Sequence, residues 1–181
     1  MKVTVCSANE HKLEELGALL PGWDLELLGD VAYPPEDASD YYGNAEIKVR
    51  YGREVGPADR WMLADDSGIE LDALDGGPGV LTARWAENRH VERALAAVEG
   101  KSRSARYVCE LVLLGPDGEE VRGTGVLEGT IADAPAGDEG FGFDPVFVPV
   151  GETRTVAELG DAWKAEHSHR ALAANALWNA V

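Results

Sequence analysis

A chain of 181 residues, 45% of them hydrophobic, is long enough for one domain, 1–181, with a sizeable core, and it holds no run of about 18 apolar residues that would make a membrane span. Its 33 acidic residues against 16 basic ones leave a formal net charge of −17, which argues against binding a nucleic-acid polymer through a basic surface. Any anionic ligand must therefore meet the few lysines and arginines gathered in one place, with a divalent cation beside them.

The N-terminus passes from a strand-like run into a charged helix with no apolar leader segment, so the expected location is cytoplasmic. Val3, Val5 and Cys6 read as a short buried strand, and Leu13, Leu16, Leu19 and Leu20 recur at helical spacing. The polar residues from Ser7 to Lys12 fall on the turn between them, where α/β proteins bind anions and where every helix needs a cap. Ser7 with Glu10 matches a capping box, and Asn9 is a good N-cap in its own right. Lys12 is explained by neither, because the helix dipole disfavours a cation in the first turn unless an anion sits there too.

Trp23–Leu28 is a second candidate strand, followed by the loop Tyr33-Pro34-Pro35-Glu36-Asp37. A helix follows, with Asn44, Ile47, Lys48 and Tyr51 near one face and Gly56-Pro57 at its end. Trp61–Ala64 is a buried run that stops at Asp65-Asp66-Ser67-Gly68, after which Ile69, Leu71 and Ala73 alternate like a half-exposed strand. Val91, Leu95 and Val98 suggest a helix closed by Gly100. The stretches on either side of Pro116-Asp117-Gly118 read as a long antiparallel hairpin. A last helix is expected around Lys164–Asn179, with Leu172, Ala176 and Leu177 inward. The whole pattern predicts an α/β chain with a mixed sheet. Cys6 and Cys109 lie in apolar runs without other ligands at metal spacing and read as small buried hydrophobes.

Three clusters can carry chemistry. Asp65 and Asp66, if extended, point to opposite faces, and the four residues Asp65–Gly68 are either a turn with a capping carboxylate or the end of a strand that delivers carboxylates to the sheet edge. With the acidic pair Glu36-Asp37 they can supply oxygen ligands to Mg²⁺. In Gly140-Phe141-Gly142-Phe143-Asp144-Pro145 the glycines let a flat ring approach a ligand, although the same rings serve equally well as core plugs. Ser168-His169-Arg170 is not a hydrolase triad, but with Lys164 it offers donors to an acceptor edge, or else a solvated helix face.

The ordered motifs S-A-N-x-x-K, N-A-x-I-K, A-D-D-S-G-I-E-x-D-A-L-x-G-G-P-G, G-F-G-F-D-P-V-F and K-x-x-x-S-H-R-x-A-L span nearly the whole chain and resemble the inosine triphosphate pyrophosphatase family. The resemblance implies an elongated mixed sheet with flanking helices and two lobes around a central cleft, a homodimer, and Mg²⁺-dependent cleavage of nonstandard purine nucleoside triphosphates such as ITP, dITP and XTP to the monophosphate and pyrophosphate. Carried over position by position, it implies a phosphate turn at Ser7, Ala8, Asn9 and Lys12, and a second phosphate lysine at Lys48. It makes Asp66 the proton acceptor and metal ligand, Glu36 the second metal ligand, and Ser67 a substrate contact. A base-binding segment is implied at Phe141, Gly142, Phe143 and Asp144, and a closing helix at Lys164, His169 and Arg170. Ser7-Ala8 replaces the family's Thr-Gly, and Pro-Pro-Glu-Asp alters its acidic loop, leaving Glu36 and Asp37 both open as the metal ligand. Two other readings fit parts of the pattern: a nucleotide pyrophosphatase for other modified bases, and a nucleotide-binding module without turnover, which would have no need of Asp66.

Overall fold

The computed structural model describes residues 1–181. Six strands, β1 (Lys2–Val5), β2 (Asp24–Leu27), β3 (Trp61–Leu71), β4 (Ser104–Leu114), β5 (Glu120–Ile131) and β6 (Phe147–Pro149), form one sheet in the order β2-β1-β3-β4-β5-β6. β1 is parallel to both neighbours, Val3 lying opposite Leu25 and Trp61, whereas β5 and β6 are antiparallel, so the sheet is mixed as expected. Parallel neighbours need a crossover, and α1 (Glu10–Leu19) supplies it between β1 and β2, while α2 (Tyr41–Val55) leads from β2 to β3. The hairpin β4–β5 closes at Gly115–Glu119, where the Gly115 N–H donates to the Glu119 carbonyl.

The chain divides into two compact units. In the first (residues 1–66, 109–125 and 172–181) the strands are covered on both faces. Val3, Val5, Leu63, Cys109, Leu111 and Leu113 pack against Leu16 and Leu20 from the α1 side and against Ala173, Ala174 and Leu177 of α7 (His169–Ala180). Cys6, Met62, Ala64, Val112 and Leu114 pack against Ala45 and Val49 of α2. Two-sided burial explains why Trp61–Ala64 is continuously apolar. The second unit (residues 67–108 and 126–171) has a core of Ile69, Leu71, Ala105, Tyr107, Ile131 and Phe147. Covering it are Ala86 of α3 (Thr82–Ala86), Ala94 and Val98 of α4 (His90–Val98), Val156 of α5 (Val156–Leu159), and the loop residues Phe143 and Val146.

Three expectations need correction. Asp65–Gly68 is neither a turn nor a strand end: β3 passes straight through it, because partners on both faces satisfy the carboxylates and the backbone has no reason to turn. The last helix is two helices, α6 (Asp161–His167) and α7, broken at Ser168, whose backbone is extended and whose hydroxyl accepts from the Ala171 N–H at 3.1 Å. Leu172 and Ala176 face solvent while Ala173 and Ala174 face the core. The reason is close packing: a Cβ at Gly123 of β5 would collide with the Ala173 carbonyl, leaving room there only for small side chains.

Candidate active site

In the first unit the site grows out of strand alternation. Trp61 and Leu63 face α1 while Met62 and Ala64 face α2, so Asp65 continues the first set and Asp66 the second. β1 ends at Val5 opposite Leu63, and both carboxylates lie past its C-terminal end. Asp65, 3% exposed, meets the Lys12 ammonium at 2.7 Å. On the other face the Asn44 amide donates to Asp66 Oδ2 at 2.9 Å. Lys48 Nζ stands 3.8 Å from Asp66 Oδ1 and 3.2 Å from Glu36 Oε2, whereas Asp37 is exposed.

Asn9 is the cap of α1: its Oδ1 accepts from the His11 N–H at 3.0 Å, and Ser7 Oγ accepts from the Asn9 N–H at 3.0 Å, with Ala8 exposed between them. The Ser7–Glu10 capping box does not form. Lys12 sits at the positive end of α1 and is held there by Asp65, which accounts for a cation in a first turn. Burial pushes the Asp66 carboxyl above the usual carboxylate range. Lys48 and the Asn44 hydrogen bond pull it back, and Glu36 and Asp65 push it further up. Glu36 and Asp66 already share one ammonium, so their oxygens converge on a point suited to a cation. Mg²⁺ is bound through one or two carboxylates and keeps several waters, and Glu36 and Asp66 are a donor set of that kind.

In the second unit, Asp144 organises the glycine-rich segment. Its Oδ2 accepts from the Phe141 N–H at 2.9 Å and from Lys164 Nζ at 2.8 Å, and its Oδ1 accepts from the Tyr107 hydroxyl at 3.3 Å. Gly140 takes φ 75°, and a Cβ there would strike the Asp144 carboxylate, so the tight loop needs glycine. Glu139 accepts from the Asp161 N–H at 3.0 Å and thereby caps α6, the helix that carries Lys164. Phe141 is 62% exposed with Lys164 Nζ 4.4 Å from its ring centre, whereas Phe143 is 3% exposed. The Phe143 ring stacks on Trp85 and meets the His90 edge at 4.9 Å. Of the two rings expected at a base, Phe143 belongs to the core, and the ring open to a ligand is Phe141, beside Gly142.

Arg170, 7% exposed, donates from Nη2 to Ser67 Oγ at 3.4 Å, and His169 stacks on Tyr107 with centroids 4.7 Å apart. Neither is a solvated helix face. Tyr107 is buried beneath both Asp144 and His169, and burial, with the Asp144 charge next, pushes its hydroxyl well above the ordinary phenol range.

Of the expected residues, Ser7, Ala8, Asn9, Lys12, Glu36, Lys48 and Asp66 lie in the first unit; Ser67, Phe141, Gly142, Phe143, Asp144, Lys164, His169 and Arg170 lie in the second. Asn44 and Tyr107 were not among the expected site residues, and Asp65 was expected as a carboxylate for a metal ion and not as the partner of Lys12. Asn44 was legible as the residue one helical turn before Lys48, and Asp65 as the alternate-face partner of Asp66, but nothing local marks Tyr107.

A family model described as the Ham1 family matches residues 3–180. A dITP/XTP pyrophosphatase of Bdellovibrio bacteriovorus is 37% identical, covering 97% of this chain and 95% of its own. Another from Mycobacteroides abscessus is 42% identical, covering 98% and 93%. Among solved structures, the Staphylococcus aureus Ham1 protein superposes with a TM-score of 0.82 at 31% identity, covering 97% of this chain and 95% of that one. A HAM1 protein from Coxiella burnetii gives 0.83 at 32% identity with the same coverage.

Proposed function

The chain belongs to the Ham1 family, and we propose that it works as its relatives are named, as a dITP/XTP pyrophosphatase. It is a nucleoside-triphosphate diphosphatase: water cleaves the α–β phosphoanhydride of a nonstandard purine nucleoside triphosphate, releasing the monophosphate and pyrophosphate. Lys12, Lys48 and the first-turn amides of α1 bind the phosphates, cation and donor together. Asp66 takes the proton of the attacking water, a role favoured by the burial that raises its affinity for a proton. Glu36 and Asp66 hold Mg²⁺, which when bound supplies charge neutralisation and Lewis acidity for the triphosphate. The observation that carries the assignment is the cluster of buried Asp66, Asn44 and Lys48 with the half-exposed Glu36, an acid and a cation on one side of β3 and a second lysine–aspartate pair on the other.

Phe141 offers a face to the base, Asp144 and Lys164 fix its loop, and His169 and Arg170 donate to a 6-oxo edge that adenine lacks. The homodimer that the resemblance implies belongs to the same proposal, as does a cytoplasmic location.

The test is pyrophosphate release from dITP, XTP, dATP and dGTP with Mg²⁺ and with excess chelator. The expected result is turnover of dITP and XTP that chelation abolishes. Asp66→Asn should lower turnover by about 10²-fold or more with nucleotide binding retained. Near-normal turnover in that variant would remove Asp66 from the mechanism.

A further inference from the structure

We propose that Asn44 is a positioning residue that fixes the two cation-binding carboxylates relative to each other; this rests on the Mg²⁺ reading of Glu36 and Asp66. Its side chain is 1% exposed and joins two elements. Nδ2 donates to Asp66 Oδ2 on β3 at 2.9 Å, and Oδ1 accepts from the Ala38 N–H at 3.0 Å, two residues beyond Glu36 on the acidic loop. The partners determine the amide orientation, because a carboxylate only accepts and a backbone N–H only donates. With Oδ2 engaged, Asp66 presents Oδ1 to Lys48, which one turn along the same helix also reaches Glu36. The loop lies directly on the helix start: a Cβ at Gly43 would collide with Ala38 Cβ. One face of α2 thus carries both the cation shared by the carboxylates and the amide that ties their elements together.

Outer-shell partners of this kind typically cost 10–100-fold in metal affinity when removed. The experiment uses Mn²⁺ as a paramagnetic probe of nucleotide-free protein, read by electron paramagnetic resonance, on the wild type, Asn44→Ala, Glu36→Gln and the double variant. Asn44→Ala should weaken Mn²⁺ binding about 10- to 100-fold. The Mg²⁺ concentration for half-maximal dITP turnover should rise in step, a shift that a general folding defect does not produce. The loss should shrink in the Glu36→Gln background, since the loop then has less to position. If Asn44→Ala does not fold, Asn44→Ser takes its place in the same comparison. Wild-type protein that binds no Mn²⁺ would overturn the metal reading itself. Binding by the wild type with an unchanged constant in the Asn44 variant, or losses that simply add, would leave the metal reading standing and overturn the role of Asn44.

Discussion

Phe141 and Phe143 stand two residues apart and are chemically identical, so exchanging each for alanine separates recognition from stability. Phe143 is 3% exposed among Trp85, His90 and Tyr107, and a buried Phe→Ala change costs about 3–5 kcal/mol in transfer and cavity terms. In a chain of this length each kcal/mol lowers the melting temperature by about 2–4 °C, which predicts a fall of about 6–20 °C. Phe141, 62% exposed, has little burial to lose, and its removal should change stability by no more than about 0.5 kcal/mol. If its ring stacks on the base, at about 1–3 kcal/mol, kcat/KM should fall about 5- to 150-fold for every base alike. Thermal melts and kcat/KM for dITP, XTP and dGTP, measured on both variants, give the four quantities. Phe143→Leu, which keeps most of the volume, should retain both stability and kcat/KM. An Phe141→Ala variant with unchanged kcat/KM would take the base off that ring, and a Phe143→Ala variant as stable as wild type would refute the core assignment.

Lys12→Met should cost stability, about 3 kcal/mol by removing the ammonium from a buried carboxylate, and should lower kcat/KM by one common factor for all nucleotides. Adding Asp65→Asn should restore the melting temperature but not the activity, and restoration of both would make Lys12 purely structural. Burial pushes the Cys6 thiol up to about 12, and Cys109 is buried as well, so a disulfide reagent at pH 8 should titrate no thiol in the native protein and two after denaturation. Reaction of either thiol in the native state would contradict their place in the core.

The sheet's strands and the helices between them were readable because their periodicity is local: β1, α1, α2 and each strand of the hairpin carry their pattern within 15 residues. What escaped is what depends on distant partners. Asp65-Asp66-Ser67-Gly68 has the composition of a turn, and it becomes strand because Lys12, Asn44 and Lys48, brought from two helices, satisfy its carboxylates. Phe141 and Phe143 are indistinguishable in sequence, and only the Asp144 carboxylate folding back on the Phe141 N–H decides which ring faces out. The break at Ser168 rests on one hydroxyl before a new helix, and a run of helix formers on either side outweighs one cap when read locally.

The same long-range pairing resolves the difficulty posed by a net charge of −17 in a protein that binds triphosphates. Each lysine of the candidate site is already held by a carboxylate: Lys12 by Asp65, Lys48 by Glu36 and Asp66, and Lys164, which fixes the Phe141 loop, by Asp144. An ammonium poised this way is fixed in direction before the ligand arrives, so little side-chain freedom is lost on binding. A phosphate that takes up such a lysine exchanges one anion for another, and the displaced carboxylate needs a new cation if it is to stay ionised in a buried place. For Asp65 no displacement is required, since a phosphate can share an ammonium that has three donors. Glu36 and Asp66 split a single ammonium between them, so a phosphate joining Lys48 puts a third anion on one cation. On the proposed reading the divalent ion is therefore assigned to Glu36 and Asp66, where anions outnumber the ammonium, rather than to the Lys12–Asp65 or Lys164–Asp144 pair.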